Sequence, residues 1–398
     1  MTFLIILICY YIAIFTTSPV ITILHELGHG LSYLILTKPE RVDIYIGTYD
    51  KDKYTFRFRL GKLFFNVKLS FPLIRGIGIC RSSKMETIAT NQIIILCAGV
   101  TFNILIAAVA GYFAFSSNIH GAIKLYCFVL IIFSMSSVYT NLLNKTIVIG
   151  NGNYLQSDGA QIKFVWAMRK YYEKYSEALT LINANKHGQA AEMLQDIFGK
   201  IKFNERITRR FMELFYLCND YRDCIKCFEI LQNKTLPETS DYIIAGAAYC
   251  LLNEHEAAIN TNLKALATDK KNKYIIVNLA CSYIKLEEFI TAETYLQKAL
   301  EIDPDFEYTY INWGCLYTKI HKYDEAKIML EKAISLNDQD PYFYKYLGEL
   351  FLEINEPENA ILNFNKCKEL NLIFDVEKEL NKAETLLKNK SHPAKSSS

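Results

Sequence analysis

His25, Glu26 and His29 stand in the run TILHELGH, residues 22–29. On a helix, side chains four residues apart share a face, so both imidazoles can reach one Zn2+ ion. Glu26 lies beside them, placed to take a proton from water activated by that ion and pass it to a departing amine. Two histidines at this spacing, with glutamate after the first, are the ligand pair and general base of a zinc peptidase helix. The setting sharpens the reading. Residues 1–37 contain no Lys, Arg or Asp, and a charged side chain at the middle of a bilayer costs at least about 2.5 kcal/mol. The bland alternative is a bundle-core helix whose histidines are merely hydrogen-bonded.

Zinc needs a third protein ligand and an open position. After Glu86 the next carboxylate is Asp158, in LQSDGAQI, with no Asp or Glu between them. A re-entering loop would bring Asp158 to the histidines. Glu86, in a strand-rich segment, and His120, on a loop between apolar runs, are the other candidates. His25 and His29 precede Lys38 by about 20 and 14 Å of helix. The ion is thus expected inside the bilayer, at or on the cytoplasmic side of its centre.

The elements that must position these groups come next. Residues 2–37 are too long for one simple span, and Ser18-Pro19 offers a cap and a first helical position. Spans are expected near 2–17 and 19–37, the second carrying the motif. Residues 40–80 alternate apolar and polar side chains, as in VDIYIG and KYTFRFRLGKLFFNVKLSF, which predicts a small antiparallel sheet. Further spans are expected at 88–115 and 122–142. Residues 38–87 hold eleven Lys and Arg against five acidic residues, whereas the SSNIHG loop has neither Lys nor Arg. The positive-inside rule therefore puts the basic segment and both chain ends in the cytoplasm. The N-terminus lacks a basic region and a small-x-small cleavage site, so the first span is expected to be retained.

From about residue 170 the chain becomes polar and repetitive. Counted every 34 residues from Tyr171, the eighth position is Ala178, Met212, Gly246, Ala280, Gly314 and Gly348. The twentieth is Ala190, Cys224, Ala258, Ala292, Ala326 and Ala360. Between them the eleventh is always large: Leu181, Phe215, Tyr249, Tyr283, Tyr317 and Phe351. Small residues at fixed offsets let paired helices approach, and such units stack because none buries its apolar face alone. INWGCLYTKIHKYDEAKIMLEKAISL is the clearest copy. Residues 171–374 resemble tetratricopeptide repeats, which implies an α-solenoid with a concave surface for a protein partner. Residues 375–390 read as a capping helix, and the end of the chain, to 398, as a disordered tail.

The formal net charge of +2 gives no reason to expect nucleic acid. Eleven scattered cysteines fit reduced thiols rather than a disulfide framework. Cys224-x-x-Cys227 has no second pair nearby and reads as helix packing.

The membrane half, roughly 15–165, resembles the site-2 protease family of intramembrane zinc metalloproteases. His25, Glu26, His29 and Asp158-Gly159 match its motifs. AGVTFN, residues 98–103, resembles that family's Ala-Gly-Pro-x-x-Asn, with Val100 where Pro is usual. NLLN, residues 141–144, resembles its Asn-x-x-Pro, with Asn144 in place of Pro. The resemblance implies that Asp158 is the third zinc ligand, that Glu26 is catalytic, and that Asn103 and Asn141 meet the substrate or its oxyanion. An interhelical hydrogen bond is the alternative for Asn103.

The expected fold is mainly α: a multi-span membrane core (1–165) with a small β-sheet insertion, then a repeat solenoid. The expected function is a membrane-integral zinc endopeptidase acting on membrane-embedded or membrane-proximal polypeptide segments. Its partners would be a membrane protein or peptide substrate, the lipid bilayer, and a protein recruited by the cytoplasmic repeats; its place would be the bacterial cell membrane. The alternative is a catalytically inactive, membrane-anchored tetratricopeptide scaffold, against which the intact Glu26 argues.

Overall fold

The computed structural model describes residues 2–47, 54–68, 78–117, 119–143, 146–149, 153–370 and 376–391. They form two units, Met1–Thr180 and Leu181–Ser398, in a mainly helical chain with one small four-stranded sheet.

The first unit opens on α1, Thr2–Leu36, which is unbroken and contains Pro19. The division expected at Ser18-Pro19 is absent. Proline removes one N–H, but a break in an apolar helix leaves several backbone groups unpaired, which is worse without water. Thr22 Oγ1 donates to the Ser18 carbonyl at 3.0 Å, next to the proline. At ~1.5 Å per residue α1 is about 52 Å long, well beyond a ~30 Å hydrocarbon core. The second and third long helices follow expectation: α2, Ala89–Phe115, and α3, Gly121–Leu142. Among the described residues, Thr17–Leu36, Ala89–Phe115 and Gly121–Leu142 are long and apolar enough to cross a membrane.

Between α1 and α2 lie β1 (Val42–Ile46), β2 (Phe56–Leu60), β3 (Leu63–Val67) and β4 (Gly78–Ser82), in the order β2-β3-β1-β4. The sheet is mixed, not antiparallel as expected: β1 and β3 run parallel, with Ile44 opposite Phe65. The reason is burial. Val42, Ile44 and Ile46 share one apolar face with Leu63, Phe65 and Val67, and that face packs on Ile23, Leu27 and Leu31 of α1. Parallel pairing lays the two buried strands side by side, and the more exposed β2 folds back antiparallel on the outer edge of β3. Period-two patterning fixes faces but not strand direction.

After α3 a two-stranded hairpin, β5 (Thr146–Ile149) and β6 (Asn153–Gln156), leads into α4, Asp158–Met168, and then α5, Tyr172–Asn183. The unit boundary falls within α5, inside the first expected repeat, rather than near 165–171. Tyr175 of α5 packs with tilted rings against Phe164 of α4, and Ser176 Oγ donates to the Glu86 carbonyl at 3.4 Å, so this helix begins in the first unit.

The second unit is a helical solenoid. Its helices are α6 (His187–Phe198), α7 (Glu205–Leu217), α8 (Tyr221–Lys234), α9 (Thr239–Leu251), α10 (His255–Thr268) and α11 (Lys273–Lys285). They continue as α12 (Phe289–Ile302), α13 (Glu307–Lys319), α14 (Tyr323–Leu336), α15 (Pro341–Glu353), α16 (Pro357–Leu370) and α17 (Glu377–Ser391). The 34-residue period reappears in the backbone. Asn185, Asn219, Asn253, Glu287, His321 and Asn355 all have φ between 58° and 63°. Each follows the first helix of a pair, and the next N–H bonds back to a carbonyl five residues earlier, as Asp220 does to Phe215 at 2.9 Å. This is a left-handed helix stop that asparagine tolerates better than most residues. The small residues at the twentieth position, Ala190 through Ala360, are all fully buried. A Cβ at Gly314 would lie 2.6 Å from Leu330, and one at Gly348 2.6 Å from Phe364. In these repeats a glycine at the eighth position makes room for a large side chain from the partner helix, whereas the second repeat has Met212 there. Cys224 and Cys227 are fully buried on α8. Val376 and, on α17, Ala383 are buried against Phe364 and Cys367, closing the apolar end. The expected tail lies outside the described residues.

Candidate metal centre

Two faces of α1 are spoken for. Ile23, Leu27 and Leu31 face the sheet, while Gly28 faces α2, where a Cβ would lie 2.7 Å from the Ala98 carbonyl oxygen. That close approach sinks His25, Glu26 and His29 between helices, where they are 5%, 6% and 6% exposed. Gly99 of α2 lies opposite. A Cβ there would sit 2.5 Å from His29 Nε2 and 2.7 Å from His25 Nε2. The α2 backbone therefore leaves a space beside the two ring nitrogens that any other residue would fill.

Asp158 enters from the N-terminus of α4. Ser157 caps that helix, accepting from Ala160 N–H and donating to the Leu143 carbonyl at the end of α3. A Cβ on Gly159 would collide with the Leu142 carbonyl oxygen, so Asp-Gly is what lets α4 start hard against α3. The Asp158 carboxylate then reaches both histidines: Oδ2 lies 3.0 Å from His25 Nε2 and 3.5 Å from His29 Nε2. The two Nε2 atoms are 3.2 Å apart. Among the described residues this is the cluster whose donor atoms all lie within 4.8 Å of one another and suit a metal ion. Burial works to raise the Asp158 carboxyl, but the two imidazoles outweigh it and hold the group below the usual carboxylate range.

The donor set fits zinc on physical grounds. His29 Nδ1 donates to the Ile95 carbonyl oxygen at 2.7 Å. A carbonyl only accepts, so His29 carries a proton on Nδ1, and Nε2 is the ring nitrogen left to face His25 and Asp158. The two Nε2 atoms and Asp158 Oδ2 converge in one buried space. Two nitrogens, one carboxylate oxygen and the space left by Gly99 could hold a metal ion, and the donor types are ones that zinc accepts.

Glu26 faces the sheet's edge. A Cβ at Gly78, the first residue of β4, would lie 2.5 Å from Glu26 Oε1. Among the described residues β4 is an end strand of its sheet, and its first residue meets the carboxylate.

Asn103, fully buried on α2, does not carry a free donor for an oxyanion. Its Nδ2 lies 3.0 Å from His25 Nδ1 and donates to Ser137 Oγ at 2.9 Å. Asn141 donates to the same Ser137 Oγ at 3.2 Å. Both asparagines thus make protein contacts behind His25, and for Asn103 this is the interhelical hydrogen bonding that was its alternative reading. Glu86 is not part of the cluster; its Oε1 accepts from Ile88 N–H at 2.8 Å, at the start of α2. His120 caps α3, its Nδ1 accepting from Ala122 N–H at 3.3 Å. Sequence reasoning missed Ser137, Gly99 and the Ile95 carbonyl. Gly99 sat in a quoted motif, whereas a serine in an apolar span and a main-chain oxygen give no signal of their own.

Comparison with known proteins informs the second unit. The tetratricopeptide repeat family model matches residues 274–306 and 308–340, so the C-terminal region carries these repeats. Among solved structures, a thermophilic tetratricopeptide repeat protein from Thermus thermophilus is 18% identical with a TM-score of 0.42, covering 46% of this chain and 100% of that one. A tetratricopeptide repeat protein from Parabacteroides merdae is 16% identical with a TM-score of 0.36, over 54% and 98%. MamA from Desulfovibrio magneticus is 15% identical with a TM-score of 0.32, over 43% and 97%. No curated protein matches the chain.

Proposed function

We propose that the first unit is a membrane-integral zinc endopeptidase and that the repeats recruit a protein to it. One observation carries the reading: donor atoms from His25 and His29 and from Asp158, which is 133 residues beyond His25, converge within 4.8 Å beside a buried glutamate. Zinc held there supplies a Lewis acid and a water that is reactive at neutral pH. His25, His29 and Asp158 hold the ion. Glu26 takes a proton from the attacking water and returns it to the leaving amine nitrogen. β4, whose first residue meets Glu26 and which is an end strand among the described residues, suits an extended substrate segment bound by main-chain hydrogen bonds.

The site's depth supports a substrate in or beside the bilayer. His29 is seven residues from the end of α1 at Leu36, about 10 Å by helix rise. The basic segment between α1 and α2 supports a cytoplasmic side for that end, and for the repeats that follow α3. Lipid excludes water, so peptide hydrolysis at this depth needs a protein-lined centre that brings water to the bond.

A second reading is favoured by the repeat match: a membrane-anchored tetratricopeptide scaffold whose metal centre does no chemistry. Tetratricopeptide repeats commonly serve protein–protein contact, and this reading needs nothing from Glu26. The two separate on one variant. Under the first, detergent-purified protein holds about one zinc, and Glu26→Gln keeps that zinc and any partner but cleaves no substrate, a loss of at least about 100-fold. Cleavage by Glu26→Gln at the wild-type rate removes Glu26 as the base. A wild-type protein that takes up no zinc leaves the scaffold.

A further inference from the structure

Ser137 lies on α3, a helix that supplies no metal ligand. Its hydroxyl nevertheless holds the side chain that holds His25. Asn103 Nδ2 is 3.0 Å from His25 Nδ1 and 2.9 Å from Ser137 Oγ, and Asn103 Oδ1 is buried without a hydrogen-bond partner. Asn141 donates to Ser137 from one turn further along α3. A fully buried amide with an unpaired oxygen costs free energy, and here it sits directly behind a candidate ligand.

The orientation of that amide fixes His25. With Nδ2 towards the ring, as in the structure, Nδ1 must accept, so the ring's proton is on Nε2 and is donated to Asp158 across 3.0 Å. Turned by half a rotation, the amide presents Oδ1 to both neighbours. His25 Nδ1 then donates to Oδ1, and Nε2 offers a lone pair to the centre, matching the tautomer that Ile95 already imposes on His29. Ser137 serves both states because a hydroxyl accepts as well as donates. It accepts from Nδ2 in the first state and donates to Oδ1 in the second. Asn141 donates to Ser137 in either case, and so does not oppose the turn.

We infer that Ser137 is a positioning residue for the metal centre: through Asn103 it fixes the orientation of the His25 ring. This rests on the zinc reading above. The partners that fix a metal-binding histidine's tautomer change metal affinity by about 10–100-fold when removed.

The test is zinc affinity of the full chain in detergent, measured by competition with a chromophoric chelator, with cobalt(II) absorption as a second readout of ligand geometry. Ser137→Ala is expected to weaken zinc about 10-fold and Asn103→Leu at least as much. Ser137→Thr, which keeps the hydroxyl, should stay within about 3-fold of wild type. Because Ser137 acts through Asn103, the double variant should be no weaker than Asn103→Leu alone. Ser137→Ala binding zinc as wild type does overturns the inference, as do fully additive losses. A wild-type chain that takes up neither zinc nor cobalt overturns the zinc reading itself, and this inference with it.

Discussion

At the scale of single residues, what is missing from Gly99 matters as much as what His25 and His29 carry. A methyl group there would lie 2.5–2.7 Å from the imidazole nitrogens, inside any contact distance. Gly99→Ala is therefore expected to abolish tight zinc binding, a loss of more than about 100-fold, while leaving the helical signal of the protein unchanged. Metal content after dialysis, beside circular dichroism, measures both. The candidate ligands were legible in the sequence because their chemistry is rare in an apolar run: two histidines at helical spacing, and a lone carboxylate after a stretch that has none. Their support was not. Asn103 and Asn141 were visible as polar groups, but which atom each touches depends on how α1, α2 and α3 pack, and a one-residue rotation of any of them would exchange the partners.

At the scale of elements, the repeats show how a regular pattern exposes its own exceptions. In five of the six repeats the twenty-fourth position is Leu194, Phe228, Leu296, Leu330 or Phe364, each essentially fully buried. The third repeat has Asn262 there, also fully buried, with both amide atoms lacking a partner. It fills the same place, since a Cβ on Gly246 would touch it at 2.4 Å, as one on Gly314 would touch Leu330. Unpaired buried polar groups cost about 1–3 kcal/mol each. Asn262→Leu is thus expected to stabilise the solenoid by about 1–3 kcal/mol and raise its melting temperature by several degrees. Calorimetry checks it; a lower melting point would mean the amide has a partner that matters. The repeat period was legible because a 34-residue recurrence of small residues survives six times without insertion. The unbroken α1 and the parallel β1–β3 pair were not. Pro19 reads as a stop in water, where a broken helix end finds new partners, and no residue pattern specifies which way a neighbouring strand runs.

At the scale of the whole molecule, the candidate metal centre belongs to one unit and the solenoid to the other. A ligand that binds only the folded form of a unit stabilises that unit alone. Removing the metal with a chelator is therefore expected to lower the first unit's unfolding transition by several degrees and leave the second unit's transition in place, two events that a calorimeter separates; restoring zinc should reverse the shift. The division between units was legible as a change from apolar to charged composition near residue 170, but its boundary was not, because α5 looks like the start of a repeat while Tyr175 and Ser176 bury themselves against the first unit. The 133 residues between His25 and Asp158 have one more consequence. A ribosome making this chain threads both histidines through long before the aspartate has been synthesised. Until α3, the hairpin and the start of α4 have followed, the nascent chain lacks the complete His25–His29–Asp158 cluster, so the peptidase we propose would stay inert while its own helices are being inserted.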